Sequence, residues 1–207
     1  MKKIISLIAA SIAIGTANAQ GGQGCQDTGH SVKSLPYWNS SQAFPCMYAG
    51  PLKSNSDGSH NLFYWLFRDP NRSSNSQFTI WLNGGPGATS MFGLFGENGP
   101  LRVARNGSGS DDFVIGTNQE GGGSWFDIGD ILFIDQPVGT GFSFGNSYLT
   151  TMSQAGDEFI TFLTNFLQMY PDYAGTSRAL TLSGESYAGK YIPYFAARIQ
   201  DSKLFNL

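Results

Sequence analysis

The stretch Gly184-Glu185-Ser186-Tyr187-Ala188-Gly189 sets a serine between small residues, directly after the apolar run Ala179-Leu180-Thr181-Leu182 and directly before a segment of helical periodicity. A serine at a sharp strand-to-helix turn is presented as a nucleophile. The strained turn also draws the residues two before and two after it together, so both must be small. Gly184 and Ala188 meet that need, although glycine is commoner at the second place. Upstream, Trp81-Leu82-Asn83-Gly84-Gly85-Pro86-Gly87 follows a second apolar, aromatic run. Its glycines let the backbone approach a ligand with N–H groups free, which is what an oxyanion hole requires. The two stretches together describe acyl transfer.

Such groups need rigid elements to position them. Leu62 to Phe67 and Phe78 to Leu82 are short apolar runs separated by Asp69-Pro70-Asn71 and a Ser/Asn stretch, and they read as adjacent strands joined by a polar loop. Ile131 to Ile134 is continuously apolar, as for a strand buried on both faces. Ala155, Phe159, Phe162, Leu163, Phe166, Leu167 and Tyr170 recur at three- and four-residue steps between Met152 and Pro171, which predicts an amphipathic helix. Tyr187 to Asp201 predicts another, with Ile192, Phe195, Ala196 and Ile199 on one face. Residues 20–61 read as an irregular surface segment, and Gly107 to Gly123 as a loop excursion around the apolar island Phe113-Val114-Ile115. The alternation of strand and helix predicts an α/β fold with a parallel sheet, and the serine turn that ends it has the context of the α/β-hydrolase kind, a mixed and mostly parallel sheet flanked by helices. In that fold the loop after the third strand and the residue after the nucleophile supply the oxyanion donors, here Gly85 and Tyr187.

Composition sets the compartment and excludes some partners. Of 207 residues 41% are hydrophobic and 14% aromatic, enough for one packed domain. The net charge of −3 has no basic stripe behind it, which argues against nucleic acid. Lys2 and Lys3 precede an apolar run from Ile4 to Ile14, and Ala17-Asn18-Ala19 forms a small-x-small cleavage site. Residues 1–19 therefore read as a secretory signal peptide, too short to span a bilayer, leaving a mature domain of 20–207 with no membrane contact. Cys25 and Cys46 either pair with each other or each pair elsewhere, because two cysteines do not fix connectivity. The sequons at Asn39, Asn71 and Asn106 agree with secretion and glycosylation.

Trp81 to Gly87, Glu97-Asn98-Gly99-Pro100, Trp125, Asp135 to Ser143, and Gly184 to Gly189 leading into Lys190-Tyr191-Ile192-Pro193 resemble the serine carboxypeptidase family, in family order over most of the chain after Leu62. One departure is visible: Gly87-Ala88-Thr89-Ser90 stands where the family usually has Gly-Cys-Ser-Ser, which removes a thiol without an evident effect on acyl transfer. The resemblance implies that Ser186 is the nucleophile, that Gly85 and Tyr187 form the oxyanion hole, and that Asn83 and Glu185, backed by Glu97, bind a substrate's C-terminal carboxylate. Two carboxyls held close share a proton, and a protonated one donates to a carboxylate. That favours acidic working pH and a lysosomal, vacuolar or extracellular location. The implied substrates are peptide or protein C-termini, with no cofactor and no metal.

A serine nucleophile also needs a base. The chain has two histidines, His30 and His60, both upstream, whereas the order in this fold is serine, acid, histidine. Asp135 matches a structural family position. The expectation is an N-terminal part of the domain, its C-terminal part missing, inactive alone and served by a downstream segment or second chain that supplies Asp and His. A truncated gene model, half of a two-chain enzyme and a relic all remain open. So do an acyltransferase using the same serine and a non-enzymatic secreted binding protein.

Overall fold

The computed structural model describes residues 24–40, 43–73, 76–105, 113–117 and 123–206. The expected signal peptide and Asn106 lie outside them. A six-stranded mixed sheet is made by β1 (Cys46–Lys53), β2 (Asn61–Arg68), β3 (Gln77–Leu82), β6 (Gly129–Asp135), β7 (Gly175–Gly184) and β8 (Phe205–Asn206), in the order β1-β2-β6-β3-β7-β8. β1, β2 and β6 pair antiparallel, while β6, β3, β7 and β8 run parallel. A hairpin of β4 (Leu101–Arg105) and β5 (Phe113–Thr117) stands apart. The helices are α1 (Met91–Gly96), α2 (Met152–Met169) and α3 (Ala188–Ser202).

Period-two alternation divides the core. Leu62, Tyr64, Leu66, Ile80, Leu132 and Ile134 face α2 and α3, where Phe159, Phe162, Phe166, Tyr191, Phe195 and Ile199 are buried. Phe63, Trp65, Phe67, Trp81, Ile131 and Phe133 face the other way, onto Met91 and Leu94 of α1 and Leu101 and Ile115 of the hairpin. Every residue of β6 is buried, because it has a strand on each edge and a layer on each face.

Three expectations are corrected. β2 and β3 are not neighbours: a strand apolar on both faces must be covered on both edges, and β6 meets that need by inserting between them. The stretch before Asn61 holds β1, whose strand character comes from eight register pairs with β2 rather than from its own mixed sequence. The excursion around Phe113 is β5, paired with β4. Cys46 opens β1 and is disulfide-bonded to Cys25, tying the lead-in to the sheet edge.

Candidate active site

Parallel pairing of β6, β3 and β7 brings their carboxyl ends together: Trp81 is level with Phe133, and Leu82 with Gly184. Asp135 ends β6, Asn83 follows β3, and Glu185-Ser186 follows β7. A crevice at this edge of an open α/β sheet is the usual place for a ligand.

Ser186 is exposed and has φ 58°, a left-handed conformation that costs a non-glycine residue of order 1–3 kcal/mol and points to function where it occurs. The turn enforces its small residues. A Cβ at Gly184 would lie 2.2 Å from the Leu82 carbonyl oxygen and 2.7 Å from the Ala188 Cβ. The glycine loop packs on the same turn, since a Cβ at Gly84 would lie 2.4 Å from the Tyr187 nitrogen. Gly85 follows with φ 107°. Neither the Gly85 nor the Tyr187 backbone N–H has an acceptor among the described residues. Two free donors thus stand beside the serine, as stabilising an oxyanion demands.

Asn83 is 1% exposed, and its neighbours orient its amide. Oδ1 accepts from Trp81 Nε1 at 2.8 Å and from the Gly93 N–H at 3.2 Å, so Nδ2 must point the other way. There it donates to Glu185 Oε1 at 3.0 Å and Glu97 Oε2 at 3.4 Å. One amide therefore joins two carboxyls and holds them near each other. Burial, and then the Glu185 charge, push Glu97 above the ordinary carboxyl range, against the Asn83 bond and the Arg102 charge.

Two further residues support the site: Asp135, whose structural position the sequence had marked, and Arg102, to which it had given no role. Asp135 is fully buried and accepts from Thr89 Oγ1 and the Ser90 N–H, both at 2.7 Å, and from the Phe142 N–H at 2.9 Å. Burial pushes it up to about 6 in spite of those bonds. It anchors the loop that carries Gly85, in keeping with a structural position. Arg102, from β4, reaches back under the Glu97 turn; a lone cation five residues after Glu97 was its one signal in the sequence.

The histidines are engaged elsewhere. His30 Nδ1 lies 2.8 Å from the Tyr64 hydroxyl, and burial lowers its pKa. His60 Nδ1 pairs with Glu158 of α2, while Nε2 meets Asn146 at 3.1 Å and Ser147 at 3.0 Å. Asn39 and Asn71 are exposed. Among the described residues no His/Cys/Asp/Glu cluster could hold a metal ion.

A family model described as serine carboxypeptidase matches residues 38–206. The pheromone-processing carboxypeptidases KEX1 of Ogataea parapolymorpha and Tuber melanosporum are 41% and 43% identical over 85% and 83% of the chain. The matches cover 28% and 26% of those relatives, so the chain spans little more than a quarter of their length. The crystal structure of a prohormone-processing carboxypeptidase, KEX1(delta)p from Saccharomyces cerevisiae, superposes with a TM-score of 0.65 at 36% identity, covering 77% of this chain and 35% of that one.

Proposed function

The chain belongs to the serine carboxypeptidase family, and from that premise we propose that it is the Ser186-bearing part of an exopeptidase that releases C-terminal residues from peptides and proteins. The observation that carries this is the Asn83 amide shared by Glu97 and Glu185 one residue from a strained serine. A free C-terminus held there places the preceding peptide carbonyl over Ser186. Its oxygen enters the pocket of the Gly85 and Tyr187 N–H groups as Ser186 Oγ gives its proton to the general base and adds to the carbon; the amine takes that proton as the C–N bond breaks, and water hydrolyses the resulting acyl-enzyme. A carboxyl that keeps its proton at acidic pH donates to the substrate carboxylate. Once that proton is gone, two negative charges face a third.

In this proposal the general base and its acid partner come from outside the 207 residues, because both histidines here are committed to other partners. The same reading makes residues 1–19 a cleaved signal peptide and Asn39, Asn71 and Asn106 glycosylation sites. The Cys25–Cys46 disulfide and the preference for acid support passage through the secretory route to a vacuole, a lysosome or the exterior. No helix among the described residues is long and apolar enough to cross a membrane.

The test is binding of N-acetyl-phenylalanyl-leucine and of its C-terminal amide to the purified chain. The acid should bind about tenfold tighter at pH 5 than at pH 7.5, the loss expected for one charge-assisted hydrogen bond. The amide should change little, and neither should be hydrolysed beyond a trace. Equal pH profiles for acid and amide overturn the clamp. Full turnover by this chain alone overturns the outside base.

A further inference from the structure

Glu97 stands in a turn that leaves α1 and must hold a carboxyl against Asn83 without help from a regular element. The N–H groups of that turn are gathered on one atom: Glu97, Asn98 and Gly99 all donate to the Gly93 carbonyl, at 3.2, 3.1 and 3.2 Å. The turn is tight enough that a Cβ at Gly99 would lie 2.2 Å from the Leu94 carbonyl oxygen. On the carbonyl side, Asn98 accepts from the Trp125 N–H at 3.0 Å, and the others are gathered by one side chain. The Arg102 guanidinium donates to the carbonyls of Gly99 at 3.2 Å and Leu101 at 2.9 Å, and through its other terminal nitrogen to the Glu97 carbonyl.

We infer that Arg102 is the positioning residue of the carboxylate clamp: its fork fixes the turn that presents Glu97, and it brings a positive charge to that turn. This rests on the function proposed above. The electrostatics agree with the geometry, because burial and Glu185 raise Glu97 while Arg102 opposes them. The groups facing Glu97 are Glu185 from the elbow, the Asn83 amide from the end of β3, and Arg102 from β4. Met91–Gly96, the helix that leads into it, carries no charged residue. A planar guanidinium is the side chain that can hold several carbonyls at once while remaining charged at every working pH. The two roles are therefore separable by substitution: Arg102→Lys keeps the charge and loses the fork, and Arg102→Gln loses both.

The experiment measures, against pH, the binding of N-acetyl-phenylalanyl-leucine to the wild-type chain and both variants, together with a 13C titration of the Glu97 carboxyl without ligand. Both variants should lose about tenfold in affinity on the acidic plateau, as for a carboxyl no longer held in place. Arg102→Gln alone should shift the Glu97 titration, and the pH at which acid binding falls, upward. Arg102→Lys should leave both midpoints near the wild type. An unchanged acidic plateau in both variants overturns the positioning role, and an unmoved Glu97 titration in Arg102→Gln overturns the charge role, whatever happens to thermal stability. If the wild type does not bind the peptide, the proposed function falls and the positioning role with it, while the ligand-free carboxyl titration still decides whether Arg102 acts on Glu97 through its charge.

Discussion

Glu158 and Glu97 are both glutamates with a second titratable group close by, and they are arranged in opposite ways. The Glu158 side chain, 9% exposed, meets His60 on one oxygen and the Ser54 hydroxyl at 3.2 Å on the other, while the far nitrogen of His60 meets Asn146 and Ser147. Donors and acceptors match, and the cluster ties the β1–β2 turn, α2 and the 144–147 loop together. At the carboxyl ends of β3 and β7, two carboxyls share one amide, a third charge hangs back on Arg102, and two backbone N–H groups lack acceptors. A matched buried cluster stabilises a fold. An unmatched one at a sheet edge has capacity left over for a proton or a ligand.

The strongest way to break this comparison is to remove one partner from each cluster. His60→Ala leaves the Glu158 carboxyl buried with a single hydroxyl donor and opens a cavity, so a loss of about 3–5 kcal/mol in urea unfolding at pH 7 is expected. A loss under about 1 kcal/mol would show that the pair is not the structural tie described. Glu97→Gln removes one of two facing carboxyls, and because the site is half open to solvent the gain is screened. The fold should be unchanged or more stable by less than about 1 kcal/mol. The same substitution should flatten the pH dependence of peptide-acid binding, since an amide donates at every pH. A large destabilisation by Glu97→Gln would mean that the turn needs the carboxylate for folding.

The contrast between matched and unmatched regions was only half visible in the sequence. β2, β3, β6, α2 and α3 were legible because each is a long apolar run or a clean helical repeat, and the elbow was legible because its needs are local to Gly184, Ser186 and Ala188. β1 was not, because Gly50 and Pro51 interrupt its pattern and pairing with β2 decides it. The insertion of β6 between β2 and β3 is a choice among distant partners that no local window contains. The clamp came from family resemblance alone: Asn83, Glu97 and Glu185 are 14 and 102 residues apart and meet only through the sheet. Arg102 and Asp135 act on backbone groups, which leave no mark on residue type.

The smallest effect separates the two histidines and, with them, the matched cluster from its surroundings. For His60, burial alone lowers the pKa, but the Glu158 bond and charge, Asn146 and Asp57 outweigh it and raise the net value. A raised folded pKa means that stability is fully present below about 6.5 and is lost as pH rises through the folded value. For His30, burial lowers the pKa, so stability is instead lost as pH falls below about 6.5. The raised carboxyls of Glu97 and Asp135 add a decline between about pH 4 and pH 6, opposing His30 in that window. Among the described acids and histidines, His60 alone has a resolved shift that acts above 6.5. The decline in urea midpoint from pH 6.5 to pH 8 should therefore vanish in His60→Gln and persist in His30→Gln. Below 6.5, His30→Gln should steepen the fall with rising pH, because its opposing slope is gone. A decline above 6.5 that survives His60→Gln would place the controlling titration outside the His60–Glu158 pair and remove the basis for treating that cluster as the matched one.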